Sequence, residues 1–336
     1  MKNILFIGGT GYVGGVVLSR FLERTDLDAR ITALVRSPDK VQKFQTLDSR
    51  NVKNEFVVVK GSHDDAALVE KLVADADEVV SMADCDNLSA MESILRGMKA
   101  RFEETGIKPV LIHMSGTGCL GDQAKGAFSS TKVYNDLDIP DIETLPPTQN
   151  HRNVDLAIVA ADADGYAQTH IVVPGAFFGI PGGILADHGL QNTSNFAWQI
   201  LFRASFARSA AAIVGAGENM IAIVDINETA DLIVLLYDAI QAGQASHGRE
   251  GYYFVTGDSI KFSRIVEVLE AHTGPRKPLT QEELDTYLPG AVSLQAFFGD
   301  NGMAISARGK GMGWRPVLGA EALLKYLADT IAMYHA

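Results

Sequence analysis

The sequence predicts an α/β fold, a doubly wound parallel sheet followed by a smaller, mostly helical C-terminal lobe. Three observations carry that expectation. Short β-rich runs alternate with stretches of helical period through the first half, the first run ends in a cluster of glycines, and the later chain breaks into shorter, mixed pieces. Parallel neighbours need a crossover connection, usually a helix, so repeated strand and helix imply a parallel sheet.

Taken in order, the β-rich runs fall at 3–7, 31–35, 55–59, 78–83, 110–114 and 170–173. Helical candidates such as 64–74 and 89–104 lie between them, with apolar residues recurring every three or four positions. Beyond them, strand-like pieces at 212–214 and 220–224 precede an apolar helix at 228–241, a strand at 252–255 and a helix at 259–272. Pro275, Pro278 and Pro289 break the region that follows, and 320–334 reads as a closing helix. No internal repeat or low-complexity segment is visible.

At 336 residues the chain can bury about three quarters of its unfolded surface, so no disulfide or metal is needed to build a core. Cys85 and Cys119 are the only cysteines, with no CxxC and no Cys/His cluster at ligand spacing. That argues against a structural zinc site or a secreted disulfide scaffold, and no metal is expected. With 29 Lys plus Arg against 41 Asp plus Glu, the formal charge of −12 disfavours attraction to nucleic acid or an anionic membrane. The N-terminal apolar run gives way to glycines where a signal peptide would need a longer apolar stretch. The longest stretch free of charged residues, 165–186, is broken by Pro174, Pro181 and several glycines, a poor spanning helix. The expectation is a cytoplasmic protein, monomer or homodimer, that meets a small-molecule substrate.

The first strand runs into Gly8-Gly9-Thr10-Gly11-Tyr12-Val13-Gly14, and a helical pattern follows. Glycines at 8, 11 and 14 suit a tight turn, close approach of backbone to a pyrophosphate, and close helix packing, with the helix N-terminus facing the anion. This predicts a Rossmann-type dinucleotide site, with a purely structural turn as the competing reading. A dinucleotide-binding domain over 1–175, with a contribution from 212–255, and a substrate-binding lobe over 176–336 follow as the expected division. The second strand ends Leu34-Val35-Arg36-Ser37, without the acidic residue that would bind the ribose hydroxyls of NAD. Arg36 offers a planar fork for a 2′-phosphate, with Ser37 and Lys40 beside it, so NADP(H) is the expected cofactor. An ordinary solvated arginine is the alternative.

The glycine string, GxxGxxG in spacing, resembles the short-chain dehydrogenase/reductase superfamily in its extended and atypical branches. Further matches run across nearly the whole chain: a strand ending at Ala83, the string His113-Met114-Ser115-Gly116-Thr117-Gly118, and Val172-Val173-Pro174-Gly175, which looks like the segment flanking nicotinamide. Val214-Gly215-Ala216-Gly217-Glu218-Asn219 and Met312-Gly313-Trp314-Arg315-Pro316 resemble later motifs of nucleoside-diphosphate-sugar epimerase-like proteins, especially fungal-type members. The resemblance implies cofactor contacts from Ala83 and Pro174, and a catalytic Ser followed by Tyr-x-x-x-Lys on the next helix.

Ser115 fits the first role, but no tyrosine in the chain has a lysine four residues on. Where that helix is expected, His151 and Asp155 stand four residues apart, which would put them on one helix face. An imidazole could act as acid or base near neutrality, with Asp155 orienting it. A structural histidine–carboxylate pair is the alternative. Tyr134, with Lys132 in the inserted stretch 119–147, is a second candidate proton donor, or an ordinary surface residue. Phe177, Phe178 and Pro181 are candidates for the substrate wall or for plain core. The expected function is an NADP(H)-dependent reductase or epimerase-like enzyme acting on a small carbonyl metabolite. A non-catalytic NADP(H)-sensing regulator, or a redox-independent isomerase, lyase or cyclase on the same fold, remains open.

Overall fold

The computed structural model describes residues 1–45, 47, 54–287 and 292–335. Pro289 of the sequence reading lies outside them. The chain runs β1 (Lys2–Ile7), α1 (Tyr12–Glu23), β2 (Ala29–Val35), α2 (Pro38–Phe44), β3 (Glu55–Lys60), α3 (Ala66–Ala74), β4 (Glu78–Ser81), α4 (Leu88–Thr105) and β5 (Val110–Met114). After a short 3-10 turn at Thr117–Leu120 come β6 (Val133–Asn135), α5 (Ile139–Glu143), α6 (Arg152–Ala163) and β7 (Gln168–Pro174). The remainder comprises β8 (Ala176–Phe178), α7 (Ile184–Asp187), α8 (Phe196–Arg208), β9 (Ala212–Ile213), β10 (Met220–Asp225), α9 (Ile226–Gln241) and β11 (Tyr252–Val255). It continues through β12 (Asp258–Lys261), α10 (Phe262–Thr273), β13 (Lys277–Pro278), α11 (Gln281–Tyr287), α12 (Val292–Gly299), β14 (Met303–Ile305), α13 (Ala307–Gly311) and α14 (Ala320–His335).

Seven strands form one parallel sheet in the order β11-β7-β5-β4-β1-β2-β3. The sheet is covered on both faces, which is why β1 reads as a continuous apolar run. Its Ile4 and Phe6 enter one core layer with α1 and α9, while Leu5 and Ile7 enter the other with α3, α4 and α6. Side-chain caps start several helices: Asp65 accepts from Leu68 N at 3.2 Å, Asn87 from Ala90 N at 3.0 Å, and Asp225 from Asn227 N at 2.8 Å. Gly106, at φ +69°, ends α4.

The last strand of the sheet, β11, comes from far down the chain and pairs with β7. Its Tyr252 and Phe254 face one core layer, Tyr253 and Val255 the other. Asp136, fully buried, accepts from the backbone N–H of Phe254, Ala307 and Arg308 at 2.9–3.0 Å and ties this edge to the lobe. The lobe has its own core, built on Phe178, Trp198, Phe262 and Phe298.

The lobe carries more strand than the sequence suggests, with a three-stranded sheet β12-β10-β8 and two-stranded pairs β13-β9 and β14-β6. The helix expected from 259 begins at Phe262, because Ser259–Lys261 pair antiparallel with β10. β9 and β10 stand where the strand-like pieces at 212–214 and 220–224 were expected, whereas the added strands β6, β8, β12, β13 and β14 are two to four residues long, too short for period-two alternation to register.

Candidate active site

The chain reverses direction across the sheet between β1 and β4, the switch point where open α/β sheets bind ligands beyond their strand ends. The glycine turn lies there. Gly8 sits at φ +86°, and a Cβ on it would stand 2.5 Å from the Met82 backbone, so only glycine serves. A Cβ on Gly14 would stand 2.2 Å from the Gly8 carbonyl oxygen, which is how α1 packs so closely on the turn. Gly11 is the N-cap of α1 and brings no side-chain cap, so the leading N–H groups of the helix stay available to an anion. A Cβ there would meet only the Gly8 oxygen, at 3.2 Å, the open approach a pyrophosphate requires. These residues fit a dinucleotide.

Around the turn, Lys40 donates from Nζ to the Thr10 carbonyl at 3.1 Å, and Asn192 N donates to the same oxygen at 3.0 Å. Burial, with Lys43 nearby, lowers the Lys40 pKa. Ser37 caps α2 by accepting from Lys40 N at 3.3 Å. Arg36, just past β2, makes no hydrogen bond or ion pair among the described residues, and its charge reaches Asp64. Tyr12 turns toward the lobe and donates to the Gly179 carbonyl at 2.5 Å, and Val13 packs against the core. Ala83 lies with its backbone N against Gly8, and Pro174 is buried at the end of β7. Gln191 and Asn192 carry no sequence signal, yet Gln191 packs on Gly15 and donates to the Tyr12 carbonyl at 3.3 Å.

The loop after β4 links this turn to a second group of residues. His151 does not sit inside the helix with Asp155; it is the N-cap of α6, in the left-handed region at φ 67°. Its partner is Asp86, whose Oδ1 accepts from the His151 backbone N–H at 3.1 Å and lies 2.7 Å from the ring Nδ1. Cys85 Sγ lies 3.3 Å from the same nitrogen. This corrects the expected geometry of the His151–Asp155 pair: α6 begins at Arg152, so residue 151 caps the helix and does not share its face, and His151 reaches Asp155 through its charge alone. An uncommon backbone conformation persists because Asp86 holds both backbone and ring.

Electrostatics follow from that geometry. Burial pulls the His151 pKa down, but its hydrogen bonds to Asp86 and Cys85 outweigh this and hold it well above 6.5. The bond to His151 lowers the Asp86 pKa in turn. Each group thus favours the charged form of the other. Its ring Nε2 points the other way, toward the end of β5: a Cβ on Gly116 or Gly118 would lie 3.2 or 2.8 Å from it.

Ser115 and Asp155 lie deeper. Asp155 is fully buried, and desolvation raises its pKa to about 6. The charge of His151 and then the Ser115 hydroxyl pull that value back, yet neither Ser115 Oγ nor the Asp155 carboxylate closes a hydrogen bond of good geometry. Arg152, also buried, donates to the Tyr252 hydroxyl at 2.6 Å. His113, two residues before Ser115 on β5, is buried with both ring nitrogens unpartnered, and desolvation lowers its pKa to about 3. Tyr134 lies apart on β6, its ring beneath the Lys132 ammonium at 4.8 Å, while Lys132 pairs with Asp141. Burial raises the Tyr134 pKa.

Gly118, Gln149 and Asn150 line a cleft of 520 Å³, shared with Lys125, Val214 and Leu279 of the insertion and lobe. His151 thus stands directly behind the cleft wall. Phe178 and Pro181 are buried, Phe178 in the lobe core. Asp86 and Cys85 escaped the sequence reading; the one available signal was their place just beyond Ala83.

The fold is shared with NAD-bound nucleotide-sugar dehydratases and epimerases of known structure. Residues 1–108 match the NmrA-like family. A protein described as oxidase ucsJ from an Acremonium species is 27% identical over 94% of this chain and 93% of its own length. Among solved structures, dTDP-glucose 4,6-dehydratase from Bacillus anthracis in complex with NAD superposes with a TM-score of 0.63 at 14% identity, covering 100% of this chain and 97% of that one. UDP-glucuronic acid 4-epimerase from Bacillus cereus, in complex with UDP-glucuronic acid and NAD, gives 0.63 at 14%, covering 99% of each chain. This fold binds a nicotinamide dinucleotide in those neighbours. No described helix is long and apolar enough to cross a membrane.

Proposed function

We propose that this protein is an NADP(H)-dependent oxidoreductase that reduces a small, neutral or mildly polar carbonyl metabolite, with His151 in place of the missing tyrosine–lysine pair. The observation that carries the reading is the Asp86-bound imidazole of His151, facing the cleft wall from a site that shares the β4 loop with the glycine turn. The redox description of the Acremonium relative agrees with it.

A nicotinamide held at this turn would supply the hydride. The chain's own residues supply the rest: Ser115 orients the substrate oxygen, and His151 delivers a proton to it from Nε2. Asp86 keeps the imidazole charged and fixed in direction. Asp155, buried beside Ser115 with its pKa raised to about 6 by desolvation, orients that hydroxyl without taking its proton. The 2′-phosphate falls to Arg36, with Lys40 next to the turn.

The test is NADPH oxidation with a panel of small carbonyl compounds. His151→Ala is expected to lower turnover by about 10² to 10⁴ while NADPH binding persists. Full activity in that variant, combined with loss in Tyr134→Phe, moves the proton donor to β6 and ends the His151 assignment. Tight NADPH binding with no turnover on any substrate favours the regulatory reading instead.

A further inference from the structure

We infer that Cys85, Asp86 and His151 form a binding site for a thiophilic divalent cation of the zinc class, independent of the dinucleotide. Their donor atoms, one thiol sulfur, one carboxylate oxygen and one imidazole nitrogen, all lie within 4.8 Å of one another. The set is a zinc set by chemistry: borderline-soft Zn²⁺ takes sulfur, nitrogen and oxygen together, and three protein donors leave a fourth position open.

The distances suit it. Nδ1 of His151 stands 3.3 Å from Cys85 Sγ and 2.7 Å from Asp86 Oδ1. Ligands on a tetrahedral zinc stand about 3.6 Å apart for nitrogen and sulfur and about 3.4 Å for nitrogen and oxygen. A cation between them needs an opening of well under about 1 Å, which an exposed carboxylate and a loop cysteine can provide. Two of the three donors are consecutive on one loop, and the third is fixed by its own backbone N–H bond to Asp86.

A second observation points the same way. His113 lies behind the cluster as a fully buried imidazole with neither nitrogen hydrogen-bonded, and the charges that bear on it are those of His151 and Asp86. Binding moves protons in a defined way: the cation replaces the proton on His151 Nδ1 and the Cys85 thiol proton, and both leave to solvent. His151 Nε2 keeps its N–H. Affinity therefore rises with pH, and the site competes with the imidazolium form that the proposed reductase chemistry uses.

The experiment is titration of the full chain with Zn²⁺ by calorimetry and with Co²⁺ by absorption spectroscopy, without any nucleotide or substrate. One cation per chain is expected, together with a thiolate-to-cobalt charge-transfer band. Cys85→Ser, nearly isosteric at a half-buried position, should abolish the band and weaken Zn²⁺ by at least about a hundredfold, more than loss of an outer hydrogen-bond partner costs. Cys119→Ser should leave both unchanged. Absence of stoichiometric binding in the parent, parental binding in Cys85→Ser, or loss of the band in Cys119→Ser would each overturn the inference. None of these outcomes depends on carbonyl reduction, so the two readings fail separately.

Discussion

Asp155→Asn tests the site through stability and does not require a substrate. The carboxyl is fully buried, and desolvation moves its pKa from 3.8 to about 6. The fold thus favours the protonated form. Its contribution to stability is complete below 3.8 and is lost as pH rises through about 6. A displacement of that size corresponds to about 3 kcal/mol. Asparagine keeps the shape and cannot ionise, so between about pH 4 and pH 8 the variant should gain about 2 to 3 kcal/mol on the parent. Any fixed cost of its amide cancels from this difference between two pH values. Urea unfolding at a series of pH values measures it. Activity should fall in the same variant, a trade of function for stability. Parallel stability–pH curves for variant and parent would refute the buried, proton-binding carboxyl.

Three further outcomes are expected. Arg36→Ala should erase most of a preference for NADPH over NADH, a loss of roughly 10-fold to 150-fold in NADPH affinity by calorimetry; equal affinities in the parent would reject the 2′-phosphate role. Gly11→Val, tolerated by the extended backbone at φ −74°, should fill the open approach above the turn and remove thermal stabilisation by NADPH, and a parental shift in melting temperature would place the phosphates elsewhere. Reduction should be lost as pH rises through the elevated pKa of His151, because the imidazolium is the proton donor; in Asp86→Asn, which removes the charge holding it, that limb should move to lower pH, and an unmoved limb counts against Asp86.

Much of the fold was legible because it rests on local pattern. The six sheet strands of the first half, the strand at 252–255 and the glycine turn all stand where period and turn chemistry put them. In the lobe the strands at 212–214 and 220–224 were also legible, while β12 and β14 escaped because their pairing is set by distant partners, β10 and β6, not by any run of residues. At the site, the expectation for Ser115 needed only its place after β5. That for His151 needed a partner 65 residues away, and Asp86 sits on a loop whose course no spacing rule gives. The same separation explains why a cysteine and a histidine with no ligand spacing in sequence become neighbours in space. The face rule also assumed that residue 151 is helical, whereas its left-handed backbone aims the ring out of the helix.

The position of β11 at the edge of the sheet bears on how the molecule is made. Until residue 255 leaves the ribosome, β7 is the boundary of the nascent sheet, and Ile171–Pro174 present an unpaired row of backbone groups flanked by apolar side chains. About eighty residues must be synthesised between the two strands, several seconds at ordinary rates of elongation. During that interval the edge has to be shielded by a chaperone or by the partly formed lobe. Synthesis speed through 176–251 is therefore a variable of yield, and slow codons there would lengthen the exposure of an aggregation-prone edge.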